Sequence, residues 1–240
     1  MKRYFLSGVL CAALLLTTAT PALAWKMEQQ DLSKIEVTFD PSVDPATHIA
    51  PPSTWAKPEV DAAIAAGLVP QFTIGAVYTA DITREQFAEL MMKTIDVILG
   101  GDTIDPAVLA KVHFSDCDNK TVLRAAASGV VNGIGGDRFA PRDTTNREQI
   151  SCMMIRGWNY LADQKPATIR EAAPADSLAR FTDTAQITDW AVRCVGRAVG
   201  NGLMKGTGDG TTLSPKDECT VEQAILLCYR LYTALQPGAK

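Results

Sequence analysis

The sequence predicts a mainly α-helical chain, and three observations carry that prediction. Three stretches of apolar residues recur at helical spacing, each opened by a side chain suited to capping a helix. A shorter helical run ends in glycine ahead of each of them. The same order of features appears three times along 240 residues. Composition agrees: 47% hydrophobic and 21% charged residues provide enough apolar material for a packed core. A formal charge of -4 argues against bulk attraction to nucleic acid or to an anionic membrane surface.

The N-terminus reads as an export signal. Lys2 and Arg3 precede the apolar run Val9–Leu16, and Ala22-Leu23-Ala24 places small residues where a signal peptidase cuts. Residues 1–24 are therefore expected to be removed, and loss of Lys2 and Arg3 takes the formal charge from -4 to -6. No later apolar run reaches the length of a membrane span. Residues 25–52 show little periodicity and read as an extended leader.

The first repeat is expected over residues 53–100. Trp55-Ala56 opens a helix over about 58–66, closed by Gly67, and Thr83-Arg84-Glu85 opens a second run over 87–99. After a connector, 101–113, the second repeat (114–162) opens with Phe114-Ser115-Asp116. A helix over about 121–128 follows, ending at Gly129, then the loop residues Gly133, Gly135 and Phe139-Ala140-Pro141. Asn146-Arg147-Glu148 then begins a second helix. A second connector, 163–180, leads to the third repeat (181–235). It runs through Phe181-Thr182-Asp183, Trp190-Ala191, a helix to Gly202, the loop Gly206-Thr207-Gly208-Asp209-Gly210, and Thr220-Val221-Glu222 before the last helix. Residues 236–240 form a tail. Thr83, Asn146 and Thr220 are expected N-caps, and the glutamate two positions on complements the helix dipole. Two short helices cannot bury their apolar faces alone, so the copies are expected to share one core.

In this order the pieces resemble the S-layer homology module of bacterial cell-surface proteins. The resemblance covers about residues 53–235. It implies a three-armed, pseudo-threefold domain around a central helical bundle. It also implies grooves between the arms that hold an anionic secondary cell-wall polymer, often bearing pyruvate ketals, or a peptidoglycan-linked glycan. Such modules anchor exported proteins to the wall without covalent bonds. On this resemblance the ligand-binding residues are Arg84 and Arg147, the aspartates Asp116 and Asp183, the tryptophans Trp55 and Trp190, and the loop glycines Gly133 and Gly206 with Lys205 beside the latter.

These residue types suit the task on chemical grounds. A guanidinium in the first turn of a helix offers a fork of donors to a carboxylate, beside free backbone N–H groups. An indole face suits stacking on a sugar ring, aspartate accepts bonds from hydroxyls, and glycine lets backbone approach a ligand. The copies also depart from the pattern. The first lacks Phe-x-Asp, the second has no tryptophan in its shortened first helix, and the third has Val221 where the arginine belongs. At most two competent grooves are expected, with Arg84 and Arg147 the leading contacts.

Other readings stay open at this level. Arg84 and Arg147 could form first-turn salt bridges with Glu85, Glu148 or a neighbouring helix, and the two tryptophans could anchor helix packing. Cys117, Cys152, Cys194, Cys219 and Cys228 follow the signal and allow at most two bridges, in 15 pairings. The glycine loops lack the ending of a phosphate loop, Asp209-Gly210 lacks the spaced ligands of a calcium loop, and His48 and His113 lie in unpatterned surroundings. Met91-Met92 and Met153-Met154 read as core filling rather than metal ligands. Neither a metal nor a cofactor is expected. No catalytic constellation is visible, so the chain is expected to be a non-catalytic binding protein. A self-assembling or partner-binding scaffold is the alternative.

Overall fold

Three backbone hydrogen bonds form a closed triangle at the centre of the fold. Ile82 N donates to Cys219 O (2.8 Å), Cys219 N to Thr145 O (3.0 Å), and Thr145 N to Ile82 O (3.2 Å). Each of these residues stands one position before a helix N-cap, so the triangle gathers the starts of three helices about one pseudo-threefold axis. The computed structural model describes residues 51–70, 77–170, 172 and 178–236. All of them lie in the unit Pro45–Lys240. The expected signal, and the expected leader up to residue 50, fall outside the described residues.

Among the described residues there are seven α-helices and no strands, so the chain is mainly helical as predicted. They are α1 (Lys57–Ala65), α2 (Arg84–Leu99), α3 (Pro106–Leu109), α4 (Lys120–Ala127), α5 (Arg147–Gln164), α6 (Asp189–Gly200) and α7 (Val221–Ala234). The short α3 falls inside the first expected connector. The long helices α2, α5 and α7 begin at the predicted caps Thr83, Asn146 and Thr220. Each start is a capping box completed by the glutamine at the third helical position, Gln86, Gln149 or Gln223. The sequence reading had singled out the glutamate one position earlier. Gly67, Gly129 and Gly202 adopt φ near +71°, +74° and +72° after the shorter helices, a conformation that glycine adopts without penalty.

The three long helices pack on one another, and their inward faces make the core. Phe87, Leu90, Met91 and Ile95 of α2 meet Ile150, Met154, Trp158 and Leu161 of α5 and Ile225, Leu226 and Leu231 of α7. All four methionines of the two pairs are buried, as core filling requires. Each short helix packs chiefly on a long helix other than the one that follows it in the chain. Helix α4 lies on α2, α6 on α5, and α1 on α7. Each structural arm therefore joins the second helix of one repeat to the first helix of the next, and the pairing of α1 with α7 closes the circle.

A ring of glutamates repeats this cyclic logic. Glu85 Oε1 accepts from Asn119 Nδ2 at the start of α4 (2.8 Å). Glu148 accepts from Thr188 N and Oγ1 at the start of α6 (3.0 and 2.8 Å). Glu222 Oε2 accepts from Ser53 N, ahead of α1 (2.9 Å). Each arm also carries its own tie. Arg124 of α4 grips Asp96 of α2 bidentately at 3.0 and 2.6 Å. Cys152 of α5 is disulfide-bonded to Cys194 of α6, with 4.9 Å between their Cα atoms. Arg230 of α7 grips Glu59 of α1 at 3.0 and 3.1 Å. The sequence left the cysteine pairing open, and the fold selects this one bridge; Cys117, Cys219 and Cys228 are free.

Candidate functional site

The arginines of the second helix starts reach across to the glycine loop of the following repeat. Arg84 donates from Nε to Phe139 O and from Nη2 to Asn132 O, both at 2.9 Å. Arg147 makes the same pair of contacts one repeat on, from Nε to Leu213 O (2.7 Å) and from Nη2 to Lys205 O (3.0 Å). Neither guanidinium is ion-paired among the described residues, which sets aside the first-turn salt bridges considered from sequence. Glu85 and Glu148 are turned instead toward the next repeat's first helix.

Arg147 is only 6% exposed, so its charge sits in a poorly solvated place. Burial, the largest effect, lowers its proton affinity; nearby Asp217 and Asp183 oppose that, and Arg230 adds to it. Arg84 is affected in the same direction by burial, with Asp143 opposing and Arg156 adding. A buried cation satisfied by neutral carbonyls alone retains an unmet attraction for an anion.

That attraction faces a cavity of ≈ 460 Å³ lined from just ahead of α1, from α5 and α7, and from the loop that follows α6. Trp55 enters it from the start of α1, Arg147 from α5, Lys205 and Gly206 from the third repeat's loop, and Gln223 and Arg230 from α7. Four residues named from sequence thus meet in one place although they stand far apart in the chain. Trp55 is 58% exposed and Trp190 54%, so neither is a packing anchor. An exposed indole beside a cationic wall offers a stacking face and an anion site within the space of one small ligand.

The aspartates and loop glycines have duties within the loops. Asp116 accepts from Phe139 N (2.8 Å) and Ala140 N (2.9 Å), and Asp183 from Leu213 N (2.9 Å) and Ser214 N (2.7 Å). Each carboxylate clamps a turn whose second residue has positive φ, Ala140 at 58° and Ser214 at 49°. A Cβ on Gly133 would stand 2.7 Å from Arg138 O, and one on Gly206 would overlap Gly210 O. Glycine at these positions therefore lets the loop close on its own backbone. Asp116 and Asp183 hold in place the Phe139 and Leu213 carbonyls that anchor the two arginines.

The pseudo-threefold relation places a second, equivalent set of residues elsewhere on the fold. Arg84, Gly133 and Trp190 occupy positions equivalent to Arg147, Gly206 and Trp55. The third position has Val221 for the arginine, and α4 is shorter than α6, which carries the tryptophan. Its loop, residues 71–76, lies outside the described residues. Sequence reasoning missed Arg230 and Arg156, although a signal was there: the ninth residue after each of Arg84, Arg147 and Val221 is Lys93, Arg156 or Arg230, a cation every time. No group of three His, Cys, Asp or Glu placed for a metal ion occurs among the described residues.

Fold and groove together define a helical repeat protein with cationic, tryptophan-bearing inter-repeat clefts. The S-layer homology domain family matches residues 115–150 and 180–225, so the chain carries two S-layer homology segments. These contain Asp116, Gly133 and Arg147, then Asp183, Trp190, Lys205 and Gly206. Trp55 and Arg84 lie outside both. Such segments associate a protein with the cell surface and wall. The chain is also similar to an endoglucanase from Bacillus sp. (strain KSM-635), with 27% identity over 149 residues. The alignment takes in 61% of this chain and only 14% of that relative. No described helix is long and apolar enough to cross a membrane.

Proposed function

We propose that this is an exported, non-catalytic cell-surface protein that holds an anionic cell-wall glycan, such as a secondary wall polymer, noncovalently in its inter-repeat grooves. The observation that carries the reading is Arg147. It is a buried guanidinium with no ion pair among the described residues, and it opens on a cavity shared with Lys205, Arg230 and the exposed face of Trp55. A carboxylate on the glycan would supply the missing countercharge through two parallel N–H···O bonds, and the sugar ring would lie on the indole. Asp116, Asp183, Gly133 and Gly206 would shape the groove walls that set the arginines.

On the same reading, residues 53–100 are a third, divergent repeat. Its support is the central triangle of hydrogen bonds and the capping box shared with the other two. Residues 1–24 serve as the export signal. The endoglucanase activity of the similar protein is not carried over, because the alignment reaches so little of that chain.

Co-sedimentation with purified cell walls tests the proposal, before and after acid stripping of the secondary polymer. Binding is expected to require the polymer. Arg84→Ala/Arg147→Ala is expected to lower it by more than about tenfold while circular dichroism stays native. A folded wild-type protein that stays in the supernatant would overturn the proposal in favour of a scaffold that assembles with itself or with a protein partner.

A further inference from the structure

The two grooves are built on the same plan but tied differently, and the difference bears on one residue. In the arm made by α7 and α1, Arg230 spends its guanidinium on Glu59, which is eight residues before Gly202's counterpart Gly67. In the arm made by α5 and α6, the residue eight before Gly202 is Cys194. It is bonded to Cys152, and Cys152 takes the place of Leu226. The disulfide thus stands where the other arm has its ion pair. Arg156, the counterpart of Arg230, has no hydrogen bond or ion pair among the described residues, and it is only partly exposed. It lies close enough to Arg84 to disfavour that residue's charge. Asp143 and Asp116 face Arg84 as well, but Asp116 is committed to the Phe139 and Ala140 amides.

The loops differ at the matching point too. Lys205, whose carbonyl receives Arg147, brings an ammonium to the first groove; Asn132, whose carbonyl receives Arg84, is neutral. The first groove therefore has one guanidinium and one flexible ammonium free for a ligand, with Arg230 engaged. The second has two guanidinium groups and no ammonium.

We infer that the Cys152–Cys194 bridge relieves Arg156 of the structural duty Arg230 performs, so that Arg84 and Arg156 together clamp a sugar-borne carboxylate in the second groove. Arg156 is the specificity-determining residue of that groove, and Trp190 supplies its stacking face. This rests on the glycan-binding reading above and assigns the two grooves different anion geometries: a carboxylate held between two guanidinium groups in the second, and held by one guanidinium beside a mobile lysine in the first.

The probe is a methyl mannoside bearing a pyruvate ketal, with its methyl ester as the uncharged control. The ligand-induced change in tryptophan fluorescence of the full-length protein is followed in a Trp55→Phe background, where Trp190 is the groove reporter, and in a Trp190→Phe background, where Trp55 is. Trp25 and Trp158 are common to both, and a Trp55→Phe/Trp190→Phe protein gives their share. Arg156→Gln is expected to weaken binding about tenfold or more in the first background and to change it less than about twofold in the second. Cys152→Leu/Cys194→Glu rebuilds the Leu226, Glu59 and Arg230 arrangement and is expected to produce the same selective loss, with helicity retained. The ester is expected to bind weakly in both backgrounds. If Arg156→Gln changes neither titration while Arg84→Ala abolishes the Trp190 response, the clamp is overturned and glycan binding stands. If neither tryptophan responds in otherwise unmodified protein, both are overturned.

Discussion

Asp183 and Glu148 are carboxylates without an exposed task, and each fixes a different part of the site. Both oxygens of Asp183 accept from the amides of Leu213 and Ser214, and the residue is only 9% exposed. Asp183→Ala should strand those amides and lower stability by roughly 1–3 kcal/mol, read by urea unfolding. It should also weaken wall binding, because the Leu213 carbonyl that holds Arg147 is then loose. For Glu148, burial disfavours the charge, but the bonds from Lys216 and Thr188 outweigh it and hold the carboxyl below its ordinary 4.5. A depressed folded-state value means stability that is present above the ordinary value and lost as pH falls through the folded one. Glu148→Gln should therefore destabilise at neutral pH, with the difference from wild type shrinking below about pH 4.5. Equal destabilisation at pH 7 and pH 3 would contradict this account. The buried thiols of Cys219 and Cys228 are both pushed up to about 12 by burial, whereas Cys117 is partly exposed. Among these three, mild alkylation of folded protein should reach Cys117 alone, as peptide mapping would check.

At the scale of elements, the ties between helices are chemically unlike but stand in equivalent arms. The disulfide closes a loop with sequence separation 42, and its removal in Cys152→Ser/Cys194→Ser should cost roughly 3–4 kcal/mol. The cost should fall mainly on α6, so hydrogen exchange should quicken there before it does in α2 or α7. Uniform quickening would mean that the arm is not a separate unit of stability. The helix starts were legible from residue spacing alone. Thr83, Asn146 and Thr220 are short polar caps ahead of apolar runs, and local backbone chemistry sets where those helices begin. The capping-box glutamines obey a local rule as well, Thr-x-x-Gln or Asn-x-x-Gln, and were readable in principle. The glutamates were not. Nothing near Glu222 in the chain indicates that it will bond Ser53, 169 positions away.

For the whole molecule, cyclic closure is the consequence of greatest weight. Because α1 packs on α7, a chain shortened to begin after Gly67 loses Trp55, Glu59 and the Ser53 contact at once. It should expose the outer face of α7 and unfold at markedly lower temperature, not merely lose one arm. Calorimetry on that truncation would decide, and an unchanged transition would show the ring to be dispensable. The first cavity depends on the same closure, since its tryptophan lies just ahead of α1, its arginine on α5 and its lysine in the loop between α6 and α7.

Caps, periodicity and glycine conformations act within a few residues, so the helical class, the three helix starts, the αL glycines and the residue types of a cationic, aromatic site can all be read along the chain. Which helix lies on which, and which cysteines bridge, is settled by the folded chain. It alone turned Asp116 and Asp183 into loop clamps, seated Trp55 beside Arg147, and bound Arg230 to Glu59 while leaving Arg156 without a partner among the described residues. These are contacts between distant parts of the chain. They follow from burying three apolar faces around one axis, a condition on the whole chain that no single stretch of sequence contains.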